Sequence, residues 1–176
     1  MKGLKLFTIQ YVGLKEGEHQ FDYDINQSFF DHFDFDDFNN IDAVISLNFV
    51  KKSTLMELHF VLSGIINVNC DLTNEPYNEP LEGVFDLVVK FGQNYNDENE
   101  EILILPYGEY EINVAQYIYE LIVLSIPSKR VHPGIKDGTL KSDILDRLND
   151  LSSSSPIEKD ETDPRWDKLK KLLTEK

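Results

Sequence analysis

The sequence predicts an α+β fold: an antiparallel β-meander in the N-terminal two-thirds, covered by a helix near 113–126, with amphipathic helices toward the C-terminus. Three observations predict it. Apolar residues alternate at period two in three long runs before Gly92, turn-forming or polar clusters separate those runs, and the apolar period becomes helical after Asn113.

Ala43, Ile45, Leu47 and Phe49 alternate with mostly polar neighbours, and Leu58, Phe60, Leu62, Gly64, Ile66, Val68 and Cys70 continue the pattern. So long an alternation implies one long strand, or a strand bent at Gly64. The short polar link Lys51-Lys52-Ser53 joins the two runs as a hairpin. A third run, Phe85, Leu87, Val89 and Phe91, follows the turn-rich stretch Asn74-Glu75-Pro76-Tyr77-Asn78-Glu79-Pro80. An earlier strand pair is expected around 6–12 and 20–25, extending or capping the sheet. Between them, Phe29, Phe30, Phe33, Phe35 and Phe38 interleave with Asp31, Asp34, Asp36 and Asp37. This spacing reads as a short helix or turn held to the core by its rings, with the carboxylates in solvent.

In the second half, Asn113 and Gln116 form a candidate capping box. Val114, Tyr117, Ile118, Leu121 and Ile122 then fall on one helical stripe that Pro127 ends. Residues 140–151 carry another amphipathic pattern through Ile144, Leu145 and Leu148. The expected organisation is a single α+β domain over 1–151, a flexible Ser/acidic linker over 152–162, and a C-terminal amphipathic helix over 163–176. Asp163-Pro164 supplies that helix with an N-cap and a first-turn proline.

Length and composition agree with one ordinary domain: 176 residues, of which 41% are hydrophobic, can bury a core without disulfides. Cys70 is the one cysteine, so neither an internal disulfide nor a multi-cysteine metal site is expected. With no apolar run of about 18 residues and no signal-peptide core, the chain is expected to be cytoplasmic, without membrane association. Its charge is uneven. The net is −15, and the stretch from Glu16 to Glu101 holds 19 acids against 3 bases, while the remaining 90 residues hold 13 acids and 14 bases. A surface so charged does not wrap a phosphate backbone as a whole, which excludes a general DNA-binding role. Any anion-binding face must lie apart from the acidic one.

Catalytic motifs are hard to find. A calcium loop starting at Asp34 would need glycine at its sixth position and glutamate at its twelfth, where Asn39 and Ile45 stand. His19, His32, His59 and His132 are scattered singly, and there is no nucleophile elbow, phosphate loop or zinc-binding His-Glu-x-x-His helix. Paired carboxylates such as Glu82 with Asp86 are common in so acidic a chain. Two basic clusters remain: Lys129, Arg130, His132 and Lys136 after Pro127, and Arg165, Lys168, Lys170 and Lys171 on the terminal helix. Both are candidate RNA contacts, and the terminal lysines would equally complement a helix C-terminus.

The order of these features resembles the YceD family. The segment Gly64-Ile65-Ile66-Asn67-Val68-Asn69-Cys70-Asp71-Leu72-Thr73, an alternating strand, Ile102-Leu103-Ile104-Leu105, and the helix 113–127 before a basic stretch are similar to it. So are the linker and the terminal Asp163-Pro164-Arg165-Trp166-Asp167-Lys168-Leu169-Lys170-Lys171-Leu172. The resemblance implies a cytoplasmic, non-enzymatic factor for accumulation of large-subunit ribosomal RNA, with no catalytic residues and no cofactor. Many members carry a Cys-x-x-Cys at the strand end and a second cysteine pair after the helix. Here the first pair is Cys70 and Thr73, and Ser128, Val131 and His132 follow the helix, so no bound metal is expected.

Two function classes follow. In one, the chain is a ribosome-biogenesis factor whose acidic half attracts basic ribosomal proteins while its basic clusters face ribosomal RNA. In the other, it is an acidic protein-binding adaptor without direct RNA contact, and Trp166, Leu169, Leu172 and Leu173 dock the terminal helix in a partner's groove. A metal-assisted hydrolase acting on RNA is a third, remote class.

Overall fold

The computed structural model describes residues 3–153. The chain divides into two units, Met1–Thr139 and Leu140–Lys176. In the first, a 3-10 turn (Gly3–Phe7) leads to β1 (Thr8–Ile9), a second 3-10 turn (Tyr11–Gly13), β2 (Gly17–Asn26) and α1 (Gln27–Phe30). There follow β3 (Asn40–Lys51), β4 (Leu55–Asn69), β5 (Pro76–Gly92), β6 (Asn96–Asn99), β7 (Ile102–Pro106), β8 (Ile112–Asn113), α2 (Ala115–Ser125) and α3 (Pro133–Lys136). The second unit contains α4 (Asp143–Ser153). Ser142 begins α4, its carbonyl accepting from Leu145 N at 3.0 Å, and Asp143 and Asp146 in the first turn complement the helix dipole. Ile144 and Leu148 on α4 are exposed. The expected terminal helix over 163–176 lies outside the described residues, as does most of the expected linker.

The main sheet has the order β2-β3-β4-β5-β7-β6. Its first four strands pair antiparallel, as the alternation implies, and the Lys51-Lys52-Ser53 link is the β3–β4 turn, closed by Lys52 N donating to Leu55 O at 3.0 Å. Here the sheet departs from a pure meander. β7 inserts between β5 and β6, running parallel to β5 with Val88 opposite Ile102. The polar β6 turns back outside it, and the apolar β7 thereby gains a partner on each side and buries Leu103 and Leu105.

Residues 6–12 are not a strand of this sheet. Phe7, Ile9 and Tyr11 are buried while Leu6 and Val12 are exposed, and the backbone makes two 3-10 turns around the two-residue β1. β1 pairs with β8 immediately before α2, on the covered side of the sheet. The capping of α2 also differs. Asn113 Oδ1 accepts from Ala115 N at 3.0 Å, while Gln116 donates to Glu120 at 2.7 Å instead of reaching back. The helix ends at Ser125 because Ile126, preceding Pro127, is forced into an extended conformation.

One face of the sheet forms the core. Ile41, Ile45, Leu47, Phe49, Leu58, Phe60, Leu62, Ile66, Leu87 and Val89 are buried together with Ala115, Ile118, Leu121 and Ile122 of α2. Gly83 marks where α2 crosses β5: a Cβ there would stand 2.3 Å from Ser125 Oγ. The phenylalanine-rich segment closes the same side. Phe29, Phe30 and Phe38 are buried, Phe33 stacks on Tyr119 of α2 with centroids 4.3 Å apart, and the intervening aspartates are exposed.

Candidate functional site

The side chains with candidate chemistry lie in two places: the post-helix segment 127–136 and the uncovered face of the sheet.

The post-helix segment is fastened to the end of β4. Asp71 N donates to Arg130 O at 2.8 Å, and Arg130 N donates to Asp71 Oδ2 at 2.7 Å. The Arg130 guanidinium turns inward, pairing with the Asp37 carboxylate and donating to Asp37 O at 3.0 Å. That bond to Asp37, working against partial burial, holds the guanidinium pKa above its ordinary value. Beside it, His132 N donates to Cys70 Sγ at 3.3 Å, and His132 Nδ1 accepts from Gly134 N at 3.0 Å. The imidazole lies against Tyr77 with centroids 5.3 Å apart. Burial alone would push the Cys70 thiol up, yet hydrogen bonds from His132, Thr73 and Leu72 hold it below its ordinary value. Asn74, at φ 58, and the bond from Cys70 N to Glu75 O at 2.9 Å complete the tight turn into β5.

Of the four predicted contacts in this segment, the structure thus divides two from two. Arg130 and His132 hold the strand end, the phenylalanine segment and the post-helix chain together, whereas Lys129 and Lys136 are exposed. Arg165, Trp166, Lys168, Leu169, Lys170, Lys171, Leu172 and Leu173 lie outside the described residues. Cys70 and His132 meet through a backbone N–H. Among the described residues no three His, Cys, Asp or Glu side chains gather where a metal could be held.

The second place was anticipated from the sequence only as an acidic half of the chain. α2 covers one side of the sheet, and the other side carries the residues of opposite phase. Glu18, Asp22 and Asp24 on β2, Asp42 on β3, Glu57 on β4, and Glu82 and Asp86 on β5 all project there, with Lys90 as the one lysine or arginine among the outward residues of β2 to β5. The other lysines of these strands and their turn are engaged. Lys51 points to the opposite side, donating to Tyr11 O and Leu14 O at 2.8 Å each, and Lys52 pairs with Glu57 at 2.5 Å. Gln20 and Ser46 donate to Asp22, keeping that carboxyl below its ordinary range. His59 contacts Asp86 at 2.5 Å. A shallow depression of about 410 Å³ lies alongside, lined by Glu18, His19, Gln20, Ser46, Asn48, His59 and Val61. The signal that could have located this face is the phase of the alternation: Val44, Val61, Ile65 and Val84 occupy positions where a solvated strand face would be polar.

Among the described residues no helix is long and apolar enough to cross a membrane. Residues 58–173, well over half of the chain, match the family model described as large ribosomal RNA subunit accumulation protein YceD. The matched region begins within β4 and extends past the post-helix segment to residue 173. No curated protein and no solved structure matches the chain.

Proposed function

The chain belongs to the YceD family, and from that premise we propose that it is a non-enzymatic ribosome-biogenesis factor supporting the accumulation of large-subunit ribosomal RNA. The family match carries this reading, since the family description itself names that RNA. The division of charge supports a mechanism for it. The acid-rich sheet face repels a polyanion and attracts basic ribosomal proteins, whose own charge would otherwise draw them onto RNA without discrimination. Lys129 and Lys136, on the post-helix segment, supply one modest, salt-sensitive RNA contact, and Arg165, Lys168, Lys170 and Lys171 supply another. Arg130 and His132 serve the first contact by holding the segment in place. The action is cytoplasmic and requires neither metal nor cofactor.

The test is genetic and direct. In cells depleted of the protein, the ratio of large- to small-subunit ribosomal RNA should fall, and the full chain should restore it. A variant with Lys129, Lys136, Lys168, Lys170 and Lys171 all changed to Ala should restore it only in part and should associate with ribosomal RNA less tightly. A ratio indifferent to depletion would overturn the proposal. Full restoration by the lysine variant would overturn its RNA-contact half.

A further inference from the structure

The uncovered sheet face is not uniformly polar. Val84 (61% exposed), Ile65 (52%), Val44 (43%) and Val61 (39%) are its most exposed aliphatic members. Val61 lies directly opposite Val84 on β5 and opposite Ser46 on β3. Val44 faces Ser63, and Ile65 sits between Asp42 and Pro80. Val61 and Val84 are thus side by side, and Val44, opposite Ser63, sits diagonally between Val61 and Ile65, so the four make a zigzag band across β3, β4 and β5. β-Branched side chains suit strands and one alone on a wet face needs no explanation, but a contiguous band rimmed by polar groups is the pattern of an interaction surface.

The rim states what kind of occupant fits. Asp22 and Asp24 flank the band on the β2 side, Asp42 at one end, and Glu82 and Asp86 on β5. Among the described residues Asp86 is bonded to His59, while Asp22, Asp24, Asp42 and Glu82 have no cationic partner. An apolar band framed by unpaired carboxylates rejects nucleic acid and anionic lipid alike. It accepts a chain that offers cations at its edges and aliphatic groups between them. β3 and β4 are already paired on both sides, so such a chain is held by side chains lying on the face and adds no strand there.

We infer that the band Val44–Val61–Val84–Ile65 with its carboxylate rim is the docking surface for a lysine- and arginine-rich segment of a ribosomal protein, seated on the face opposite α2. The assignment of the segment to a ribosomal protein rests on the function proposed above; the surface and the chemistry of its occupant do not.

The experiment uses the full chain and two fluorescent peptides of equal length and charge, one alternating lysine with valine, the other lysine with serine. The valine peptide should bind about tenfold more tightly at moderate salt, because only it covers the aliphatic band. The double variant V61T/V84T, which retains β-branching, should lose that preference with its melting temperature unchanged. D24N/E82Q should weaken both peptides and flatten the salt dependence. Equal binding of the two peptides, or a preference that survives V61T/V84T, would overturn the inference and leave only diffuse charge attraction. The two failures are separable. Loss of the peptide preference, with the ribosomal RNA ratio still dependent on the protein, removes this surface alone. An indifferent ratio, with the preference intact, removes the proposed function and leaves a basic-segment receptor.

Discussion

The position of α2 decides which side of the sheet is left open, and Gly83→Ala probes that position directly. A Cβ at residue 83 would stand 2.3 Å from Ser125 Oγ and 3.1 Å from Leu121 Cδ1. The Ser125 hydroxyl donates to Leu121 O at 2.6 Å, so rotating it away loses a bond worth about 0.5–1.5 kcal/mol. Leu121 must then yield by a few tenths of an ångström, and overpacking of this kind costs about 1–3 kcal/mol in total. Replacing glycine in a strand returns about 0.5–1 kcal/mol of chain entropy. The expected net loss is about 1–2 kcal/mol, read as a lower urea midpoint at unchanged slope. Ser125 Cβ lies 3.4 Å from the built atom, an ordinary contact, so in G83A/S125A the main clash is gone. That double variant should be at least as stable as S125A alone, with a coupling of about 1 kcal/mol or more in the double-mutant cycle. An additive cycle, or a stabilised G83A single variant, would refute the seating of α2 on β5. The identity of the open face would fall with it.

Three further outcomes follow from the same geometry. Arg130→Gln should cost about 1–2 kcal/mol in urea melts, the worth of a partly exposed ion pair and a backbone hydrogen bond, whereas K129A/K136A should leave stability within about 0.5 kcal/mol and lower RNA affinity instead. Cys70, buried at the strand end, should resist thiol reagents in the folded protein and react once unfolded; Cys70→Ala should destabilise by about 1–3 kcal/mol because the His132 N–H loses its acceptor. Burial pushes Tyr23 and Tyr117 up to about 12 from 10.0. Their contribution to stability is therefore fully present below pH 10 and is lost as pH rises through about 12, and alkaline difference spectra should show Y23F and Y117F each removing one late-titrating phenol.

Local pattern was sufficient for much of the molecule. The β3–β4 hairpin, the 85–91 part of β5 and the helix ended by Pro127 are all written in neighbouring residues, because period and turn chemistry act over a few positions; residues 76–80, read as part of a turn-rich stretch, instead extend β5 by pairing with 65–69 of β4. What escaped depends on pairs far apart in the chain. Nothing near Arg130 announces that it will meet Asp37 and Asp71, which stand 93 and 59 residues away. Its positive charge read as a free binding group, whereas in the structure the guanidinium is paired with Asp37. Similarly, residues 6–12 read as a strand but take up largely 3-10 backbone, since the partner of this segment is the distant β8.

The amino-acid order alone determined that this chain has a mainly antiparallel sheet with one apolar side, a helix to cover it, a segregated charge and the succession of features by which its family is recognised. These are properties of short windows and of composition. Folding decided the insertion of β7 beside β5, the inward turn of Arg130 and His132, and the assembly of four aliphatic side chains from three strands into a band framed by carboxylates. Each of those depends on strand register, and register is settled only when a whole hydrophobic face finds its cover.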